Sequence, residues 1–264
     1  MNIGTFVLPH GVESACGILN NIYQYLDTRS LLNIKESSII KQLKQIYQSD
    51  DFERVRDEAL SIGYEGFRSI NEMVHPAKTL YDLIQQYAKE FPCGRALTCA
   101  CEHGCMDDVE LFVNLHPFHK YITNSDMNGY RDGMTLKEMT SQVGKTSRGW
   151  EWTPLMIAAR NEHFHIVNYL IQQGEADPII AGSNGSNALH YTAMCNNTKS
   201  IELLLNHMTL VSINKKNWTG RTPLDMVYFH NHSALREEII ARLRLKGAKA
   251  TDYDENGRYI EEGN

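Results

Sequence analysis

The nine residues Thr153-Pro154-Leu155-Met156-Ile157-Ala158-Ala159-Arg160-Asn161 decide the fold. Threonine followed by proline is a helix start. The Thr153 hydroxyl is placed to accept from a free backbone N–H, and Pro154 fits the first turn, where a missing N–H costs nothing. Leu155 and the small pair Ala158-Ala159 then share a face that a second helix can approach closely. Ile166, Val167, Leu170 and Ile171 follow at helical spacing and predict that second helix. It is expected to end at Gly174, where glycine takes the left-handed C-terminal position without strain. One such pair cannot bury its own apolar stripe, so the pattern requires neighbours.

The neighbours are in the sequence. Asn187-Ala188-Leu189-His190-Tyr191-Thr192-Ala193, backed by Ile201-Glu202-Leu203-Leu204-Leu205, repeats the arrangement, and Gly220-Arg221-Thr222-Pro223-Leu224-Asp225-Met226-Val227 opens it again. The leading leucine falls at 155, 189 and 224, in steps of 34 and 35 residues. A more degenerate copy comes earlier: Arg95-Ala96-Leu97-Thr98-Cys99-Ala100-Cys101-Glu102-His103-Gly104, then Val109-Glu110-Leu111-Phe112-Val113. Its Leu97 precedes Leu155 by 58 residues, and the surplus falls in the connection, about 117–152. Asp126, Asn128, Gly129, Asp132, Gly133, Gly144 and Gly149 give that connection turn chemistry, with one short helix predicted in Thr135–Gln142. Connections this long inside compact domains are functional or disordered, and Trp150 and Trp152 at its end favour function. Beyond Leu224 the apolar spacing runs through Leu235, Ile239, Ile240 and Leu243 to Gly247. Arg236, Glu237, Glu238, Arg242 and Arg244 are placed to cover the outer face of a terminal repeat.

These words resemble the Thr-Pro-Leu-His-x-Ala-Ala opening of the ankyrin-repeat family, over about residues 93–250, and the step is close to that family's ~33-residue period. The resemblance implies an all-α fold: an ankyrin solenoid of about four helix pairs with short β-hairpin fingers, residues 117–152 forming an enlarged finger loop. It implies protein binding without catalysis and without a cofactor. In the family, partners meet the fingers and the outward ends of the first helices, which line a concave face. Carried over, the fingers are Gly149–Trp152, Ser183–Ser186 and Trp218–Arg221. The outward positions are Glu102 and His103, Arg160 and Asn161, Met194 and Cys195, and Phe229 and His230. The finger residues expected to touch a partner are Trp150, Trp152, Ser183, Asn184, Ser186, Trp218, Thr219 and Arg221. From the helices come Arg160, Asn161, Met194, Phe229 and His230. Trp and Arg carry a disproportionate share of interface energy, and all three tryptophans of the chain stand on fingers. The motif histidine survives only as His190. Thr98, Met156 and Asp225 replace it elsewhere, which predicts a weakened polar network between repeats. Asn214 lies where eukaryotic ankyrin proteins can be hydroxylated, but the favoured reading is a simple turn asparagine.

Residues 1–92 carry none of this wording. Apolar spacing predicts helices near Val12–Leu26, Glu36–Tyr47, Asp51–Ile62 and Ala77–Lys89. Asp50 and Glu53 have capping-box spacing, and Pro76 suits a first turn. This helical N-terminal region is either a cap on the repeat stack or an independent partner-binding region. The acidic tail, 251–264, is expected to fray.

Composition bounds the function. The 264 residues are 42% hydrophobic and 22% charged, the balance of a globular chain. The net charge of −6 is spread evenly, with 9 Lys and Arg against 12 Asp and Glu in residues 1–93, and 17 against 20 beyond. Nucleic-acid binding, which needs clustered cations, is not expected. Nor is a membrane span, which takes ~20 consecutive apolar residues. Met1–Pro9 lacks the basic start and apolar stretch of a secretory signal, so the six cysteines are expected to be free thiols in a cytoplasmic protein.

Cys93, Cys99, Cys101 and Cys105, with His103 and His116, lack the paired Cys-x-x-Cys knuckles of zinc sites. The alignment places Cys101 at a small-residue core position, so no metal is expected. His163, His165, His190, His230 and His232 are explained by the repeat pattern or lie at exposed helix ends. No nucleophile elbow or phosphate loop accompanies them. The reading that follows is a non-catalytic protein–protein interaction module (adaptor, scaffold or inhibitor), a monomer that holds a folded protein partner. An alternative is a pathogen or viral effector adaptor in the host cytosol, its N-terminal helices recruiting a second partner. A third is an enzyme or zinc-binding protein using the Cys93–Cys105 cluster.

Overall fold

The computed structural model describes residues 38–69, 76–90, 95–115, 135–141, 144–145, 151–195, 197–230 and 234–251. The helix expected at Val12–Leu26, Cys93, His116, Trp150, His232 and the tail beyond Thr251 lie outside the described residues.

Four helix pairs form the stack: α4 (Arg95–His103) with α5 (Met106–Asn114), α7 (Pro154–Arg160) with α8 (Phe164–Gln172), α9 (Ala188–Ala193) with α10 (Thr198–His207), and α12 (Pro223–His230) with α13 (Arg236–Leu245). The first helices pack one on the next in an inner row, and the second helices do the same in an outer row. Leu97, Leu155, Leu189 and Leu224 are all buried in one apolar core that runs from Ile40 to Ala248. The paired Ala158-Ala159 sits in it, as the close approach of α7 and α9 requires.

The pairs that open at Pro154 and Pro223 start where their capping residues dictate. Thr153 Oγ1 accepts from the Met156 N–H at 3.2 Å, with Pro154 in the first turn. Thr222 Oγ1 accepts from the Asp225 N–H at 3.3 Å, and the Asp225 carboxylate accepts from the Thr222 N–H at 2.8 Å. Such caps stabilise a helix by about 1 kcal/mol each.

Gly174 does not adopt the left-handed conformation expected of it; the next residue, Glu175, does, at φ 52°. Gly174 is glycine for space, since a Cβ there would lie 2.8 Å from the Leu170 carbonyl oxygen. Left-handed turns do join α4 to α5 at Gly104 and α7 to α8 at Glu162, which share one repeat position.

Inside 117–152 the described residues build two things. The first is α6 (Leu136–Ser141), which Thr135 and Glu138 cap reciprocally: Glu138 N–H donates to Thr135 Oγ1 at 3.2 Å and Thr135 N–H to Glu138 Oε2 at 2.7 Å. Met139 is buried, Thr140 Oγ1 donates to the Gly174 carbonyl at 2.6 Å, and Ser141 Oγ accepts from Asp177 N–H at 2.8 Å. The second is a hairpin of β1 (Gly144–Lys145) and β2 (Glu151–Trp152), with Gly144 opposite Trp152.

Three further helices precede the stack: α1 (Ser38–Tyr47), α2 (Phe52–Ser69) and α3 (Pro76–Glu90). Helix α2 starts a residue late for an Asp50–Glu53 box, and Glu53 binds Arg56 at 2.9 Å instead. Helix α1 packs on α3 and on α5. Across the α1–α5 contact Lys44 pairs with the buried Asp108 carboxylate, and Asn114 donates to the hydroxyls of Tyr47 and Tyr169 at 3.2 and 3.1 Å. At the far end, the guanidiniums of Arg236 and Arg244 lie 5.2 and 5.9 Å from the Tyr228 ring, and Arg244 donates to its hydroxyl at 2.7 Å. Arg242 joins Glu202 at 2.8 Å to Glu238 at 2.9 Å.

Candidate functional site

The connections between pairs fold into fingers that lean on one another. Within one finger, Gly182 N–H donates to Ser186 O and Gly185 N–H to Gly182 O, each at 2.9 Å. In the next, Asn217 Oδ1 accepts from Thr219 N–H, Thr219 Oγ1 and Arg221 N–H at 3.0, 2.7 and 3.1 Å, which locks the turn together with the Asn217 N–H to Arg221 O bond at 2.9 Å. Between fingers, Ser183 N–H donates to Glu151 O at 3.2 Å and Trp218 N–H to Asn184 O at 3.0 Å. Gly185, at φ 77°, lies so close that a Cβ would meet Trp218 Cδ1 at 2.9 Å.

Beneath the fingers, buried polar groups tie one repeat to the next. His190 Nδ1 accepts from Asn187 N–H and its Nε2 donates to the Arg221 carbonyl, both at 3.2 Å, while Asn187 Nδ2 donates to Ser212 O at 3.0 Å. Burial holds the His190 imidazole neutral, with its pKa pushed down to about 4. One repeat later Asp225 does the same work with other chemistry. Its carboxylate accepts from Thr222, and from the N–H and Oγ1 of Thr251 at 2.7 Å each. The expected weakening therefore does not occur at Asp225, because a carboxylate can gather donors from the following segment as an imidazole cannot. Asn214 is part of the same bracing: its Nδ2 donates to Gly247 O at 3.0 Å and its Oδ1 accepts from Lys249 N–H at 2.7 Å.

The predicted partner-binding residues separate by exposure. Arg160, Asn161, Trp218, Thr219, Phe229 and His230 are exposed, with Trp218 at 80% and Phe229 at 45%. Ser183, Asn184, Met194 and Arg221 are half-buried, and Ser186 is buried behind its finger. Trp152 is half-buried and packs on Tyr191, the rings tilted by 52° with centroids 4.5 Å apart. Cys195, read as an outward position, is buried, with its Sγ 3.4 Å from the Arg160 carbonyl. The structure brings Arg221, Phe229 and His230 together: the Arg221 guanidinium lies 4.0 Å from the Phe229 centroid, and His230 meets that ring edge-on at 4.6 Å. Sequence reasoning missed two positions that shape this face. Tyr191 carries Trp152 and donates from its hydroxyl to Asn184 Oδ1 at 3.2 Å; its only signal was an aromatic directly after the motif histidine. Asn217 organises its finger, and the run Asn-Trp-Thr-Gly is a legible turn signal.

Cys101 is fully buried and burial pushes its thiol pKa far up, away from a thiolate that could bind metal or attack. His163 and His165 line a hollow with Gly104, Met106, Glu162, Phe164 and Ile166, a lining without a hydroxyl or thiol side chain. Asn161 Nδ2 and His163 Nε2 both lie 3.2 Å from the Glu102 carbonyl, bracing the turns of adjacent pairs.

Stacked helix pairs with interlocked fingers define an α-helical repeat solenoid. The chain belongs to the ankyrin-repeat family: residues 97–217 and 155–254 match the family model described as Ankyrin repeats (3 copies), which together cover more than half of its length. No curated protein matches it. Ankyrin repeats are generally protein–protein interaction modules and typically non-catalytic. No helix among the described residues is long and apolar enough to cross a membrane.

Proposed function

We propose that this chain is a non-catalytic adaptor or inhibitor that holds a folded protein partner on its concave ankyrin face, along the fingers and the outward ends of α7, α9 and α12. One observation carries the reading. Trp218 projects from a locked finger with most of its surface in water, beside an Arg221–Phe229 stack. A rigid turn that exposes an indole loses little entropy when a partner covers it, which is what an interface anchor needs. The N-terminal helices act as the cap of the stack. The Lys44–Asp108 pair and the Tyr47–Asn114–Tyr169 bridge support this, since both weld α1 to the first repeat.

Affinity capture tests it. Wild type should retain a partner that the Trp218→Ala/Phe229→Ala variant loses. A Val211→Ala/Leu245→Ala variant, altered at apolar side chains 83% and 86% exposed away from the fingers, should keep it. Equal capture by all three would reject the face.

A further inference from the structure

Charge along the face is unevenly distributed. Between Pro178 and His230 the chain has two carboxylates, Glu202 and Asp225, although the whole chain carries −6. Neither reaches the fingers. Glu202 sits on α10 in the outer row, 2.8 Å from Arg242. Asp225 is buried and accepts from Thr222 and Thr251. The finger and inner-helix surface of the last two repeats therefore carries Arg221 and His230, with Lys215 and Lys216 leading into the finger and Arg160 one repeat upstream. Among the described residues of these two repeats no carboxylate alternates with Lys215, Lys216, Arg221 and His230 on that surface, whereas Arg160 has Glu162 two residues away. Salt confines a field to about 8–10 Å, so an approaching partner meets this local positive sign and not the negative total.

The same patch carries its largest exposed aromatics. Phe229 is covered on one side by Arg221, whose guanidinium carbon lies 4.0 Å from the ring centroid. Trp218 rests against the backbone of Gly185 and turns its remaining surface outward.

We infer that the C-terminal half of the concave face recognises an acidic segment of a partner protein, one in which Asp or Glu side chains flank an aromatic or large aliphatic residue. The apolar residue covers Trp218 and Phe229, and the carboxylates meet Arg221, His230 and Lys216. This rests on the proposed binding face and adds the sign and character of what it binds. Opposite charges steer the encounter and fix the register, while the aromatic contact supplies the anchor.

Random dodecapeptides displayed on phage, selected on the full-length protein, test it. The strongest are synthesised and titrated by fluorescence anisotropy against wild type, Trp218→Ala, Phe229→Ala, Arg221→Glu and Val211→Ala/Leu245→Ala. Matched thermal melts show that each variant folds. The expected pool is rich in Asp and Glu around an aromatic or Leu. It binds Trp218→Ala and Arg221→Glu at least about tenfold more weakly, and loses affinity several-fold between about 50 and 300 mM salt. Val211→Ala/Leu245→Ala leaves it unchanged. A neutral or basic pool that Trp218→Ala still abolishes would keep the face and overturn its acidic preference. Peptides indifferent to Trp218→Ala and Phe229→Ala would overturn both. An unenriched pool, with phosphatidylserine vesicles bound in an Arg221-dependent way instead, would replace the acidic peptide with an anionic membrane surface.

Discussion

At the scale of single residues, the repeat position shared by Gly104 and Glu162 gives a paired prediction. Both adopt positive φ, 71° and 61°, but only one is glycine. A side chain there costs about 1–2 kcal/mol, and glycine returns about 0.5–1 kcal/mol as extra freedom of the unfolded chain. Glu162→Gly should therefore raise stability by roughly 0.5–1 kcal/mol in urea titration. Gly104→Ala should lower it by about 2 kcal/mol, because its Cβ would also come within 2.7 Å of the His163 ring. Asp225→Ala leaves the buried Thr222 N–H and the half-buried Thr251 N–H without their acceptor and should cost about 2 kcal/mol by the same measurement. The leucines, prolines and alanines of each repeat were legible because they obey one period. Glu162 was not, since a backbone angle leaves no trace in apolar spacing. Nor was the role of Asp225: its donors at Thr251 lie outside any local motif.

At the scale of elements, the cap of α9 makes the stack acid-sensitive. His190 is neutral in the fold, with a pKa near 4 against 6.5 when unfolded, so the unfolded chain takes up a proton that the native chain refuses. Stability is thus intact above about pH 6.5 and falls as pH drops towards 4, by up to about 3 kcal/mol from this group. Thermal melts of wild type against His190→Gln check it: the variant starts less stable but loses less between those two pH values. Helix α6 shows how far element reading reaches. Its place in Thr135–Gln142 could be read from turn residues on one side and helical spacing on the other. Its docking could not, because Gly174 and Asp177, which Thr140 and Ser141 bind, belong to a different repeat. The fingers were placed by alignment alone. That Trp152 lies half-buried on Tyr191 while Trp218 stands clear depends on the ring that α9 offers the first and the glycine that the neighbouring finger offers the second.

At the scale of the whole molecule, the continuous core predicts that the N-terminal helices and the repeats unfold together. All three tryptophans lie between 150 and 218, so their fluorescence reports the stack alone, while far-ultraviolet circular dichroism reports every helix. The two urea transitions should coincide in wild type. Asp108→Ala, which strips Lys44 of its partner, should lower the shared midpoint by the equivalent of about 1–3 kcal/mol; a midpoint shift in the dichroism alone would mean that α1–α3 fold apart from the stack. The clasp between Thr251 and Asp225 carries this coupling to the proposed binding face. The segment 247–251 is short and lies at the edge of the fold, yet it completes the bonding beneath α12, the helix that carries Phe229 and His230. A protease that nicks the chain near Lys249 would thus loosen the last repeat and, from a distance, the aromatic end of the proposed binding face, for which the end of that repeat would act as a fuse.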